Sequence, residues 1–321
     1  MSQSLASVEP PPTEPPASAE GTTAKKIEGR SPLRLGVERL VRDRAAMISL
    51  GVIVLIVLVA IFAPVIAAIV GHGPNQEFSQ IGLSSIGQPK APSSTFLLGT
   101  DDQGRDIMVR IAYGARISLI VGVLATALTV AVGALVGLVA GYFGGLTDSI
   151  LARFMDWLLA IPFLLFAISL VSIIGAGLTV VIIVIGFFGW ASVGRIVRGQ
   201  VLSIKEREFV EAARALGAGP WRIMFVDILP NVMAPIIVYS TLLIPLSIVT
   251  EASLSFLGVG IPAPTADWGQ MISASQSVYQ YGAWWYLVFP SLALLITTLA
   301  FNIFGDGVRD AFDPRGDQLF V

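Results

Sequence analysis

Long apolar stretches alternate with polar intervals along the chain, at about 47–70, 117–140, 154–174, 178–197, 234–257 and 286–304. At a rise of about 1.5 Å per residue, stretches of this length reach across a hydrocarbon core about 30 Å thick. Inside lipid the backbone must satisfy its own polar groups, so such stretches are read as helices. The pattern predicts an all-α, polytopic membrane protein with six transmembrane helices. Prolines mark where those helices should bend: Pro64 near the far end of the first, Pro162 within the third, Pro235 and Pro245 in the fifth. Trp284, Trp285 and Tyr286 open the sixth as an interfacial aromatic group.

Within the second stretch, Gly133, Gly137 and Gly141 recur every four residues and extend a line of small side chains from Ala125 and Thr129. One face of this helix can therefore take another helix at close range, which predicts a packing seam rather than a ligand pocket.

The polar intervals differ in kind. Residues 1–30 are rich in Pro, Ser, Thr, Ala and Glu and cannot bury enough apolar area to offset ordering, so they read as a disordered tail. They lack the basic start and apolar core of a signal peptide. Residues 31–46 carry Arg34, Arg39, Arg42 and Arg44 and predict a short interfacial helix. The interval 71–116 predicts an external loop that leads through Leu98–Asp106 into a short helix ending at Gly114-Ala115-Arg116. Asp101, Asp102 and Asp106 lack the register of a calcium loop; they suit the positive end of a helix and offset Arg105 and Arg110. Residues 311–321 form a polar tail.

Counting Lys and Arg sets the orientation. With the N-terminus inside, the inner side holds sixteen and the outer side only Lys90, Arg105, Arg110 and Arg116. The excess places both termini and the interval 199–230 in the cytoplasm.

That interval is the longest internal polar segment on the inner side. Phe209, Ala213 and Leu216 fall on one helical stripe, and Arg207, Glu211 and Arg214 on another. Gly217 supplies a left-handed stop, Pro220 opens a second helix through Trp221 and Phe225, and Pro230 leads into the next span. A bent helix pair outside the membrane suits a groove on another protein, although the same pattern also describes a charged helix lying on lipid.

Composition narrows the function. The chain is 55% hydrophobic and 13% charged with net charge −2, which gives no footprint for nucleic acid. It has no cysteine, and its one histidine, His72, sits in a Gly-His-Gly loop past the first span, so a His-rich metal site is excluded. None of Lys25, Lys26, Lys90 or Lys205 follows a glycine, so the loop that cradles nucleotide phosphates is missing and no cofactor is expected in this chain. No catalytic constellation is present; Asp156 and Glu251 are the only intramembrane acids that could be imagined as a pair. Glu251, inside the fifth span, has two readings: it lines a solute path, or it is structural, paired or hydrated near the membrane edge.

Glu211-Ala212-Ala213, Gly217 after three residues, and Leu229-Pro230 together resemble the EAA loop of importer-type ABC permeases. The runs EREFVEAARALGAGPWRI, LGTDDQGRDIMVRIAYGARISL, TEASLSFLGVGIPAP with Trp268-Gly269, and FGDGVRDAFDPR resemble the dipeptide/oligopeptide branch of the binding-protein-dependent inner membrane component family. Asp227 departs from the pattern, which has an apolar residue two places before Leu-Pro. The resemblance implies that this chain is a permease subunit of the cytoplasmic membrane with a coupling helix and no enzymatic activity of its own. It implies a second homologous permease, two cytoplasmic ATPase subunits holding ATP and Mg, and an extracytoplasmic peptide-binding protein. Arg207, Glu211, Ala212, Ala213, Arg214, Gly217, Leu229 and Pro230 would then form the ATPase contact. Nickel or another small solute remains an alternative cargo, and a stand-alone secondary transporter is the rival class.

Overall fold

A computed structural model describes residues 32–312; the tail expected at 1–30 and the last nine residues lie outside the described part. Among the described residues the elements are helical, with only two isolated bridges, Leu83 to Pro89 and Thr100 to Asp106. The first helices are α1 (Pro32–Arg42), α2 (Arg44–Ile61) and α3 (Ala63–Val70). Asp43 starts α2 by accepting from Ala45 N at 2.8 Å and Ala46 N at 3.2 Å. The stretch expected as one span over 47–70 is thus two helices, broken at Phe62 because Pro64 has no N–H to continue the ladder.

The next element, α4 (Ile107–Phe143), is a single helix of 37 residues. The break expected at Gly114–Arg116 is absent, and the loop 71–116 ends earlier, at the Asp106 cap. Gly114 serves a different purpose: a Cβ there would lie 2.6 Å from the Trp268 ring, so the glycine makes room for that indole. The stretch expected over 154–174 is also corrected. Helices α5 (Gly145–Ala160) and α6 (Phe163–Ile174) meet at 86° across Ile161-Pro162, where Pro162 can neither donate nor keep the preceding residue helical. Helix α7 (Leu178–Ile204) outruns its expected end at 197.

Beyond it come α8 (Glu208–Ala215), α9 (Pro220–Arg222), a π-helical stretch Ile223–Ile228 and α10 (Leu229–Phe256). The last three form one continuous run, Pro220–Phe256, rather than a loop to 230 and a span from 234. At the π stretch Leu229 N donates five residues back to Met224 O, which accommodates the N–H missing from Pro230. Finally α11 (Trp268–Tyr279) precedes α12 (Trp284–Phe312). Helix α12 outruns the expected span end at 304 and enters the expected tail as far as Phe312, held against α1 and the start of α2: a Cβ on Gly36 would meet the Phe312 ring at 2.7 Å, and one on Gly307 would meet Ala46 Cβ at 2.5 Å. Among the described residues five helices are long and apolar enough to cross a membrane, and the bent α5–α6 pair makes a sixth if it is one span.

The centre of the bundle is the seam between α4 and α7. A Cβ on Gly133 would sit 2.7 Å from Trp190 O, on Gly137 2.5 Å from Gly194 O, and on Gly141 2.7 Å from Val201 Cβ. The two helices therefore meet closely along about two turns, with Val193, Val197 and Val201 of α7 seated directly against the glycines. Met155, Leu158, Val171, Val184, Trp190 and Leu254 fill the core beside the seam. At the elbow end Arg195 donates to Asp156 at 2.5 Å and Arg198 grips Asp148 with both nitrogens, which ties α5 to α7.

The opposite end is closed by a polar knot. Asp101, fully buried, accepts from Arg105 Nε at 2.6 Å and lies 3.4 Å from Arg110 Nε. Arg110 Nη1 also donates to Pro74 O at 2.9 Å. Burial, then the neighbouring Asp101, pushes the Asp102 carboxyl up from its usual range. Asp106 caps α4 by accepting from Met108 N at 2.8 Å, and its other oxygen bonds His72 Nδ1 at 2.7 Å. The His72 ring packs against Phe78 and Phe96 at 4.6 and 4.9 Å between centroids. Two of the four cations expected on the outer side, Arg105 and Arg110, are thus buried with acid partners. Asp106→Ala removes a cap and the His72 contact together. Thermal unfolding should show it less stable by about 2 kcal/mol, and a loss under about 0.5 kcal/mol would mean the knot does not hold α4.

Candidate functional site

The segment between α7 and α10 is a bent helix pair seated on the ends of α4 and α7. Its entry is Arg207, extended at φ −82° and ψ 148°, whose carbonyl starts α8. Glu208 and Glu211 in the first turn and Arg214 in the last complement the helix dipole. Helix α8 ends in a Schellman motif: Gly217 N donates to Arg214 O at 2.9 Å and Ala218 N to Ala213 O at 3.0 Å. Gly217 is left-handed at φ +80°, a conformation L side chains rarely adopt, so the sharp bend needs glycine here. After it, Pro220 opens the next helix.

What the elbow buries and what it leaves bare divide cleanly. Val210, Ile223, Met224 and Ile228 are buried against Leu138, Val193, Val197 and Val201, with Ala213, Ala218 and Leu229 packed at the edge. Outward, Leu216 is 89% exposed, Trp221 62% and Phe209 45%. Trp221 and Phe225, both exposed, stack with ring centroids 6.0 Å apart. The stripe Phe209–Ala213–Leu216 is therefore split: only Ala213 turns inward, and the buried anchor is Val210, which the spacing did not single out. Exposed Ala212 and Glu211 lie on the outward face of α8. Among the described residues no ion pair joins Glu211 to Arg207 or Arg214; the Arg214 guanidinium instead sits 5.7 Å over the Tyr142 ring. Pro230 is exposed in the first turn of α10. Asp227 lies in the π stretch, where its carbonyl accepts from Asn231 Nδ2 at 2.7 Å while its buried Oδ2 has no hydrogen-bond partner.

The other singled-out acid lies far along α10. Glu251 is fully buried. Ser255 Oγ donates to its Oε1 at 2.9 Å and Ser118 Oγ to its Oε2 at 3.4 Å, and Asp267, also fully buried, is a neighbouring acid. Glu251 is not at an open surface, and Asp156, bonded to Arg195, is not its partner. Asp267 has no signal in the hydrophobic pattern; the trace it leaves in the sequence is its place just before the helix starting at Trp268, as an N-cap. Burial pushes the Asp267 carboxyl up from its usual range. A cavity of about 340 Å³ lies between α4, α7, α10 and the α5–α6 bend, lined by Thr129, Phe188, Ser192, Leu243, Ser247 and Thr250, and Glu251 does not line it.

An exposed aromatic and aliphatic tip thus stands on a packed base, at the start of the continuous run Pro220–Phe256. A family described as "Binding-protein-dependent transport system inner membrane component" matches residues 133–317, and one described as "N-terminal TM domain of oligopeptide transport permease C" matches residues 31–83. The oligopeptide transport system permease protein OppC of Bacillus subtilis is 43% identical over 303 residues, covering 94% of this chain and 96% of that protein. The dipeptide transport system permease protein DppC of Bacillus subtilis is 41% identical over 277 residues, 86% of this chain and 84% of that protein. The di/tripeptide transport system permease protein DppC of Pseudomonas aeruginosa is 38% identical over 285 residues, 89% of this chain and 93% of that protein.

Proposed function

From the premise that the chain belongs to the family of binding-protein-dependent transport system inner membrane components, we propose that it is one of two permeases in an ATP-driven peptide importer. The observation that carries this reading is the elbow: Leu216, Trp221 and Phe225 are exposed together on a segment whose inner face is fully packed. Exposed apolar groups on a rigid helix pair suit a groove on a partner. The chain has no phosphate-binding loop, so the partner that docks there supplies the motor: two cytoplasmic ATPase subunits, with ATP and Mg bound on them. The same reading puts both termini and the elbow in the cytoplasm, six spans in the cytoplasmic membrane, and a peptide-binding protein on the far side.

The mechanics follow from the helix that leaves the elbow. Closure of the ATPase pair on ATP shifts α8 and the Gly217 bend, and the run Pro220–Phe256 transmits that shift as one rod through the membrane. Glu211, in no ion pair among the described residues, and Arg207 are the polar rim of the docked surface. The cavity lined by Thr129, Ser192, Ser247 and Thr250 becomes half of a solute path completed by the second permease. Its hydroxyls suit the backbone groups of a peptide without fixing its side chains.

Reconstitution tests the function directly. Vesicles carrying this chain, its sister permease and both ATPases should take up labelled di- and oligopeptides only with ATP inside and binding protein outside. Uptake by the chain alone without ATP would replace this reading with a secondary transporter.

A further inference from the structure

A second cavity lies between α2, α4 and α12 and shares no lining residue with the cavity of the proposed solute path. Its volume is about 660 Å³, and Val57, Ile61, Leu119, Val123, Leu124 and Phe301 line it. Among the described residues the one charged side chain in its lining is Arg116. Along α4 the wall from Arg116 to Leu124 rises about 12 Å, most of one leaflet's half of a hydrocarbon core about 30 Å thick.

Water is a poor occupant, because these walls offer it almost no hydrogen-bonding partner. A further helix fits badly as well. The α4–α7 seam shows what close helix packing uses in this chain, glycines at which any Cβ would collide with the neighbour. The groove instead presents branched aliphatic and aromatic side chains around a gap, with Val123 and Leu124 about half exposed. A flexible chain of methylenes can follow such a wall.

Arg116 fixes which end of the groove is polar. It is exposed, one residue before the apolar stretch that begins at 117, and lies towards the end of α4 away from the elbow. Among the described residues no acid pairs with it; its guanidinium sits 5.8 Å over the Tyr113 ring. A smaller cavity of about 280 Å³ shares Arg116 and Ile120 with the groove, and Asn75, Tyr113 and Thr265 in its lining are of types that donate hydrogen bonds. No Asp or Glu lines either cavity, so nothing there would hold the ammonium of a zwitterionic headgroup. A long apolar slot and a recess with donors thus meet at a guanidinium without a counter-ion.

We propose that this groove binds an anionic phospholipid, one acyl chain lying along Val57, Leu119, Val123 and Phe301 and the headgroup phosphate bonding Arg116. The planar fork of the guanidinium suits phosphate oxygens, and a side chain at this depth places its charge among headgroups. The bound chain supplies apolar contact between α2 and α4 that the protein's own side chains leave open. The site needs only a chain that crosses a membrane and does not depend on the importer reading.

The full chain, purified in mild detergent alone and in the assembled transporter, tests this by native mass spectrometry during titration with dioleoyl phosphatidylglycerol or dioleoyl phosphatidylcholine. Wild type should bind the phosphatidylglycerol about tenfold more tightly in both preparations. Arg116→Gln should remove that preference, and Arg116→Lys, which keeps the charge, should retain most of it. Val123→Trp, which fills the slot, should weaken both lipids about tenfold and leave the thermal midpoint without added lipid near that of wild type. Equal binding of the two lipids by wild type, or an unchanged preference in Arg116→Gln, overturns the proposal. Lipid that binds the chain alone but is displaced in the assembly also overturns it, and gives the groove to a helix of the second permease.

Discussion

Gly137→Leu should leave almost no folded protein in the membrane. A side chain at this position starts 2.5 Å from Gly194 O, 2.8 Å from Val197 Cβ and 3.0 Å from Arg198 N. Two of those three atoms are backbone, so no rotamer change relieves the clash; α4 and α7 must separate. Overpacking in a yielding core costs about 1–3 kcal/mol, and a seam that has to open exceeds that range. Against a total stability of about 5–15 kcal/mol, losing the longest helix contact in the bundle removes the fold. Gly51→Leu is the control, since a Cβ there meets nothing within 4 Å. Yield after extraction and the thermal midpoint distinguish the two. A Gly137→Leu protein that melts like wild type would mean that the seam is not what holds the bundle.

The second large effect falls on the elbow and spares the fold. Leu216→Asp with Trp221→Asp replaces two exposed side chains outside the buried core, Trp221 giving up only its stacking on the exposed Phe225. If each buries against a partner, its loss forfeits about 2 kcal/mol of apolar transfer. The pair then weakens docking about a thousandfold, at about 1.4 kcal/mol per factor of ten. The variant should insert and melt normally, fail to retain ATPase subunits on purification, and give no ATP-dependent uptake. Normal uptake would remove the apolar tip from the coupling contact.

Much of this architecture is legible in the sequence, and the reasons are physical. A lipid-crossing helix must be apolar along its length, so the spans announce themselves, and a glycine every four residues marks a seam because no other residue lets backbones meet. The boundaries were harder. Gly114 reads as a helix end but lies mid-helix, because a glycine that admits an indole and one that stops a helix look alike along the chain. Pro162 announces a bend without its size. Phe209 and Leu216 belong to one apolar stripe by spacing, yet both face outward, since spacing records amphipathicity and not which partner covers each face. Glu251 is visible as an oddity within a span, whereas its burial beside Ser118 depends on α4 packing against α10.

Cysteine chemistry tests the coupling contact most directly, because the chain contains no cysteine. Leu216→Cys places a single thiol at the most exposed apolar point of the elbow, and Ile86→Cys places one at a comparably exposed position in the opposite polar end. In the assembled transporter a short bifunctional thiol reagent should link position 216, and not position 86, to a nucleotide-hydrolysing subunit, and should do so less readily once ATP is bound. A thiol at 216 that stays open to bulky water-soluble reagents in the full assembly, and links to no ATPase, contradicts the account.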